Sequence, residues 1–391
     1  MIVRQFINWI KTAPAGERAE ATRALARAWL ISDLSHDDRS AAEGALLMLL
    51  DDASPLVRQA MAEVFARSTD APAAIVQTLS LDQPSVSLPI LEHSPLLIDA
   101  DLVDIVATGN SEMQCAVARR INLPASVCAA IAEVGTPAAA LELIENAYAE
   151  LAPFSWDRIV ERHGHLAAIR ESMLVLEDLP AATRVALVAK LSDTLAQFVV
   201  ARNWLSADRA VRIVSEARDR STVNVAARSR GEDMRALVCH LRATGQLTSG
   251  LILRALLSGN VELFDSALAE LSGLPQARVS ALLYDRGGAS LQALLLRAGL
   301  PESTFAAFRA ALEVGHETGF VGSVGGAVVL RRRMVERVLT RCETDPQAAG
   351  PLLILLRRFA NESAREEARM FCEELTVDEA IAPTHHESIA A

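Results

Sequence analysis

Short polar segments that can start a helix recur along the first half of the chain, each followed by apolar residues. Each segment contains Asp, Asn or Thr where a helix would begin, and successive segments start 26 to 31 residues apart. They are Asp51–Arg58, Asp82–Val86, Asn110–Val117 and Thr136–Ala140. A side-chain oxygen at such a position can accept hydrogen bonds from free backbone N–H groups, and Pro favours the first helical turn. The spacing therefore predicts a helix at each segment.

A second helix is predicted between these starts, beginning near Asp70, Asp99 and Leu123–Pro124. Each repeat is then a short helical hairpin. One such hairpin cannot bury its apolar stripe alone, whereas stacked hairpins form a continuous core. The pattern in the first half therefore predicts an α-solenoid.

Similar punctuation returns later in the chain. The segments Gly259–Phe264 and Gly287–Leu291 start helices, and Gly-Leu-Pro occurs at 273–275 and again 26 residues later at 299–301. Gly ends a helix easily and Pro begins the next one. These signals predict a second array of hairpins. The segment between the arrays lacks Gly and Pro inside two long predicted helices, 181–204 and 207–230.

The last part of the chain is predicted to hold a connection and three helices. The Gly-rich stretch Gly315–Gly326 is expected to be a flexible connection, followed by helices over 327–343, 346–360 and 361–375. Residues 376–391 are expected to be a disordered tail, as chain ends often are.

Three features carry a resemblance to a known family: the acid-Pro-x-x-Val repeats, the segment Ile90–Ile105 and the Gly-Leu-Pro repeats. They resemble an uncharacterised alphaproteobacterial family of unknown function that is similar to HEAT and leucine-rich-variant repeats. The resemblance implies a fold and no activity. The predicted fold is all-α, an α-solenoid of HEAT-like hairpins in two arrays joined by longer helices. Its predicted parts are an N-terminal array (1–180), a long-helix connector (181–245), a second array (246–315), C-terminal helices (316–375) and the tail (376–391).

Composition agrees with an all-helical fold and narrows the class of function. The chain is 51% hydrophobic but only 4% aromatic, which disfavours sheet proteins. Its formal net charge of −11 is not typical of a nucleic-acid or membrane binder. The five cysteines lack a C-x-x-C pair, so neither a disulfide framework nor a zinc site is indicated. Without a signal-peptide core or a long apolar run, the chain is expected to be soluble and cytoplasmic.

A long acidic segment is the clearest candidate for a binding surface. Between Ser68 and Ala118 there are seven carboxylates and no Lys or Arg. The predicted partner-binding residues are Asp82, Glu92, Asp99, Asp101 and Asp104. A basic protein partner would suit them. The alternative is a solvated surface with helix caps, because charge runs commonly serve solubility.

Two basic clusters offer a different chemistry. The segment from Arg202 to Arg230 contains seven arginines and only three acidic residues. The spacing of Arg209, Arg212 and Arg220 places them on one face of a helix. Planar guanidinium groups there could bind phosphate or carboxylate, whereas Glu216 among them suggests pairing within the helix. A second cluster comprises Arg331, Arg332, Arg333, Arg337, Arg341, Arg357 and Arg358. It could contact a partner or pair with the acidic residues that follow it.

Candidate catalytic patterns are weak. The glycines of Gly319–Gly326 lack the Lys-Ser/Thr ending of a phosphate loop, and His163 and His165 diverge on a helix. Cys239 and His240 point to different sides. No catalytic, cofactor or metal residue is therefore assigned, and the chain is not expected to be an enzyme.

The sequence thus favours a cytoplasmic scaffold or regulatory adaptor that binds a protein partner in a solenoid groove. One alternative is a nucleic-acid binder similar to HEAT-like DNA glycosylases, which would need a positive groove with aromatic side chains such as Trp156 and Trp204. Another is a sensor of a small anion, such as a nucleotide, held by the central arginines. No membrane contact is expected, and oligomeric state stays open.

Overall fold

The computed structural model describes residues 6, 8–284, 288–318, 331–345 and 350–381. Most of these residues lie in helices. The one extended pairing in this part of the chain is an isolated bridge between Leu123 and Ala149. The prediction of an all-α fold is confirmed. The chain forms two compact units, Met1–Leu179 (unit 1) and Pro180–Ala391 (unit 2). No helix among the described residues combines the length and apolar composition needed to cross a membrane.

Unit 1 consists of short helices joined by short connections. They are α1 (Ala15–Ile31), α2 (His36–Leu49), α3 (Pro55–Phe65), α4 (Ala73–Ser80), α5 (Pro84–His93), α6 (Asp99–Thr108), α7 (Ser111–Ala118), α8 (Ala125–Val134), α9 (Pro137–Glu145), α10 (Pro153–His163) and α11 (Ala167–Val175). The odd-numbered helices α1 to α11 pack in succession, and α6, α8 and α10 pack in succession beside them. The predicted repeat of helix starts is therefore confirmed.

The local reasons for these starts are partly those predicted. Asn110 accepts a hydrogen bond from the Met113 N–H at 3.0 Å, and Thr136 accepts one from Ala139 at 3.4 Å, so both residues cap their helices. At α5 the expected cap residue, Asp82, is instead the partner of Arg58. The start of α5 rests on Pro84 in its first turn, because the fixed φ of proline suits that position.

The core of unit 1 is built from apolar side chains on the inner faces of the hairpins. Phe65 is fully buried and meets Trp29 edge to face, with ring centroids 6.1 Å apart. Arginines add polar links between hairpins. Arg120 donates to the carbonyls of Leu91 and Ser94 at 2.6 Å each, and Arg162 donates to the Ala132 carbonyl at 2.9 Å. These carbonyls lie near helix C-termini, where positive charge is favoured.

Unit 2 begins with two long helices and continues with shorter ones. They are α12 (Ala181–Ala201), α13 (Ala207–Ala226), α14 (Gly231–Ala243), α15 (Ser249–Leu257), α16 (Val261–Ser272), α17 (Gln276–Tyr284), α18 (Gly288–Arg297), α19 (Phe305–Thr318), α20 (Arg332–Thr344) and α21 (Gly350–Ile381). A 3-10 turn, Glu302–Thr304, precedes α19. Stacked Phe264 and Phe308, with centroids 5.9 Å apart, lie in its main core.

Helices α19 and α21 of unit 2 differ from the prediction. Helix α21 is continuous where a break was predicted after Ala360, because Asn costs a helix interior much less than Pro does, and buried Phe359 and Ser363 keep the inner face continuous. It also extends to Ile381, inside the predicted tail, and residues 382–391 lie outside the described residues. Helix α19 runs through Gly315, the predicted start of the flexible connection, because that glycine is buried in packing; residues 319–330 lie outside the described residues.

Candidate functional site

The predicted acidic residues are divided between two edges of unit 1. Because the helices of a hairpin run in opposite directions, successive connections alternate between these edges. Glu92, Asp99 and Asp101 lie at the connection between α5 and α6, and Asp104 lies one turn further along α6. Asp82 lies at the other edge, between α4 and α5. Four of the five residues therefore lie at or next to one connection of unit 1, and Asp82 lies at another.

Asp82 is engaged within the protein. Its carboxylate accepts a hydrogen bond from Arg58 Nη2 at 3.0 Å and one from the Gln83 N–H at 2.7 Å. Burial alone would raise the pKa of Asp82, but the hydrogen bonds from Arg58 and Gln83 outweigh it and hold the pKa below its usual value. Asp82 thus links α3 to the α4–α5 connection.

Two of the remaining carboxylates also order local structure. Asp101 accepts a hydrogen bond from the Ile98 N–H at 3.2 Å and so caps α6. Asp99 is exposed and accepts a hydrogen bond from Ser126 Oγ at 2.8 Å, which joins the starts of α6 and α8. Asp104 is exposed on the surface of α6.

Three connections on this side of unit 1 form one hydrogen-bonded surface, which we call the loop edge: residues 94–98, 119–124 and 146–152. Besides the bonds from Arg120, Asn146 Nδ2 donates to the carbonyls of Ala118 and Arg120 at 2.7 and 2.8 Å. The Glu150 N–H donates to the Leu123 carbonyl at 3.2 Å. Each connection is therefore held by its neighbour.

Large apolar side chains project into solvent along the loop edge. The exposed fractions are 64% for Ile98, 69% for Ile121, 61% for Tyr148 and 61% for Phe154, which begins the helix after the third connection. Single exposed apolar residues are common, whereas a row of them on successive, rigidly linked connections is a feature of binding surfaces. The row stands beside the exposed carboxylates of Asp99 and Glu150.

The predicted arginine face lies on α13 in unit 2. Arg220 pairs with Glu366 at 2.9 Å. Glu216 pairs with Arg358 of α21 at 2.9 Å and not within its own helix, as one of the sequence interpretations had it. Arg209 and Arg212 are exposed and form no ion pair with the described residues. Of the three predicted anion-binding residues, Arg220 is therefore neutralised by an ion pair, whereas Arg209 and Arg212 have no such pair with the described residues.

In the second basic cluster, described arginines pair with nearby carboxylates. Arg332 contacts Glu336 at 2.7 Å and Glu367 at 3.0 Å. Arg341 contacts Glu313 and Glu317, both at 2.9 Å. Arg332 thus pairs with one of the acidic residues that follow the cluster, as one interpretation predicted, whereas Arg341 pairs with carboxylates that precede it.

The side chains of α13, α15 and α21 surround a cavity of about 500 Å³ in unit 2. Its floor holds Arg254, whose side chain is only 4% exposed. Arg254 donates from Nη1 and Nη2 to the two carboxylate oxygens of Glu362 at 2.7 and 2.8 Å, and its guanidinium lies 4.6 Å from the ring centre of Phe359. Sequence reasoning missed this pair, because Arg254 stands within an apolar helix and Glu362 is 108 residues away.

Asp219, a carboxyl group near Arg254, has an unusually high pKa. Burial raises the pKa of Asp219 to about 6, although Arg254 and Arg218 favour its charged form; Glu216 and Glu362 add to the rise. Because the folded pKa exceeds the unfolded value of about 3.9, the folded state binds the proton more tightly. The binding of this proton stabilises the folded state fully below about pH 4, and the stabilisation is lost as pH rises through about 6.

We therefore expect Asp219→Asn to raise the free energy of unfolding of unit 2 by about 1–3 kcal/mol at pH 7 and by much less at pH 4. Urea denaturation at both pH values measures the difference. Asp193→Asn is the matched control, because Asp193 is exposed and paired with Arg218 at 2.7 Å. An equal gain at both pH values would contradict the expected titration.

His163 and Cys239, two further candidates from the sequence, each contact a group of the protein. His163 is buried with Nε2 3.3 Å from the Gly135 carbonyl, and burial lowers its pKa. The Cys239 Sγ lies 3.7 Å from Glu270. Within the described residues, no three His, Cys, Asp or Glu side chains come together as metal ligands would.

The fold and these surfaces define an all-helical protein of short hairpins with an exposed, rigid loop edge. The chain belongs to the family described as an uncharacterised protein conserved in bacteria, DUF2336, whose model matches residues 86–346. This match confirms the resemblance to a family of unknown function. It includes the whole loop edge and ends before α21. No curated protein and no solved structure matches the chain.

Proposed function

We propose that unit 1 is an α-solenoid of HEAT-like hairpins that binds another protein through the loop edge, and that the chain is a scaffold or regulatory adaptor of the bacterial cytoplasm. The succession of packed alternate helices supports the solenoid. One observation carries the binding role: the row of Ile98, Ile121, Tyr148 and Phe154 in solvent.

The surroundings of the row indicate the chemistry of the partner. Exposed apolar side chains favour a partner segment with its own apolar residues, because contact removes both from water. Asp99, Asp104 and Glu150 are exposed nearby and favour Lys or Arg in that segment. The hydrogen bonds among the connections keep the loop edge ordered before contact, which reduces the entropy cost of binding. A basic segment with apolar side chains is therefore the proposed partner.

The nucleic-acid alternative receives less support. Trp156 lines a cavity of unit 1 whose described lining includes four carboxylates and no Lys or Arg. They are Glu145, Glu171, Glu177 and Asp178. Such a surface repels phosphate groups, so it does not provide the positive groove that this alternative needs.

The test is affinity capture of partners from the native cytosol with the full chain. We expect a defined protein to be retained, and the triple variant I98S/I121S/Y148S to reduce its retention at least tenfold, because hot-spot side chains each contribute 1 kcal/mol or more. L56S/L81S is the matched control, because both leucines are exposed but lie at the other edge.

The control variant is expected to retain the partner as the unchanged chain does. The proposal fails if the triple variant retains the partner fully, if both variants lose it equally, or if nucleic acid is the species retained. Circular dichroism of the variants verifies that helix content is unchanged.

A further inference from the structure

The cavity of unit 2 has an uneven balance of charge. Its lining includes five arginines and three glutamates. The arginines are Arg220, Arg254, Arg358, Arg365 and Arg369, and the glutamates are Glu216, Glu362 and Glu366. The difference is 5 − 3 = +2 in a chain whose formal net charge is −11. The cavity is therefore a local site of positive charge.

The three glutamates are all matched by arginines of the same lining. Arg254 pairs with Glu362, Arg220 with Glu366, and Arg358 with Glu216, at distances between 2.7 and 2.9 Å. Within each pair the two charges neutralise each other, and each pair links α21 to α13 or α15. They leave two positive charges in the cavity without a carboxylate partner.

The remaining two charges are Arg365 and Arg369. Both are exposed and form no ion pair with the described residues. They lie four residues apart on α21, so their side chains leave the same face of the helix. Two guanidinium groups one turn apart can donate to the oxygens of one anion, and their planar forks match phosphate well.

A second observation lies at the floor. The Nε atom of Arg254 is buried and has no hydrogen-bond partner among the described residues, although both Nη atoms bind Glu362. A buried donor left without a partner costs free energy, and such groups are rare in folded proteins. The floor therefore holds one donor that no described residue satisfies.

The wall also offers apolar surface. Ile213, Leu355 and Phe359 line the cavity beside the arginines. A volume of about 500 Å³ suits a small organic molecule better than a lone inorganic ion. The ligand that matches this lining has a doubly charged anionic end and an apolar body.

We propose that this cavity binds a phosphate monoester of a small organic molecule, with Arg365 and Arg369 binding the phosphate and Ile213 and Leu355 contacting the organic part. This site differs from the predicted face of Arg209, Arg212 and Arg220, from which it takes only Arg220. It does not depend on the loop edge. Binding joins α13 to α21, so the ligand stabilises unit 2 by mass action.

The test uses isothermal titration calorimetry of the full chain with adenosine monophosphate and, separately, inorganic phosphate. We expect the nucleotide to bind more tightly than phosphate, because only the nucleotide reaches the apolar wall. The variant R365Q/R369Q is expected to weaken nucleotide binding at least tenfold, because it removes the charge-assisted hydrogen bonds to the phosphate.

The control R209Q/R212Q removes the same charge from two exposed arginines that form no ion pair with the described residues and do not line the cavity. It is expected to change nucleotide affinity by less than about twofold. The proposal is overturned if millimolar nucleotide gives no binding heat, if phosphate binds as tightly as the nucleotide, or if the two variants weaken binding equally. Unchanged thermal unfolding of both unliganded variants shows that the fold is retained.

Discussion

Replacing Glu362 with alanine is expected to lower the free energy of unfolding of unit 2 by about 3–5 kcal/mol. The change leaves the guanidinium of Arg254 charged at a position that is 4% exposed. Guanidinium denaturation followed by circular dichroism measures the loss.

Two further variants separate the burial of a charge from the loss of an ion pair. Glu366→Ala removes the partner of Arg220, which is well exposed, and is expected to cost less than about 1 kcal/mol. R254M/E362L removes both charges of the pair and is expected to restore most of the lost stability. A loss below 1 kcal/mol for Glu362→Ala would show that water reaches Arg254.

Replacing Phe65 with alanine is expected to lower the stability of unit 1 by about 3–5 kcal/mol. The side chain is fully buried, and its removal leaves a cavity beside the Trp29 ring. In a stack of hairpins each helix depends mainly on its neighbours. Amide hydrogen exchange is therefore expected to accelerate most in α1 to α5 and least in α9 to α11.

Leu56→Ala is the matched control, because Leu56 lies on the same helix but is exposed, and its replacement is expected to change stability by less than about 0.5 kcal/mol. Uniform acceleration of exchange across unit 1 in the Phe65 variant would contradict the solenoid and indicate a single cooperative core.

The sequence predicts the helices well because their signals are local. Asn110 and Thr136 cap helices within three residues, and Pro84 sets a first turn by its own ring. The break that was wrongly predicted after Ala360 had no such signal, since neither Gly nor Pro occurs there. Continuity of α21 is decided by which side chains the helix buries.

The candidate sites were harder to predict, because both depend on contacts between distant residues. Asp82 and Asp99 are equally acidic in the sequence, yet one pairs with Arg58 and the other faces solvent. Ile121 and Tyr148 lie in connections, where a helical period gives no information about exposure. Their apolar character outside any periodic stripe was the available signal.

The arginine contacts between hairpins have a consequence for the substitutions that this chain can tolerate. Arg120 and Arg162 bind main-chain carbonyls of the preceding hairpin, and every residue has such a carbonyl. A substitution at Leu91 or Ala132 therefore leaves the acceptor in place. The carbonyl acceptor of each hydrogen bond is therefore kept whatever side chain that residue carries. The links between these hairpins therefore tolerate changes of side chain at the acceptor positions.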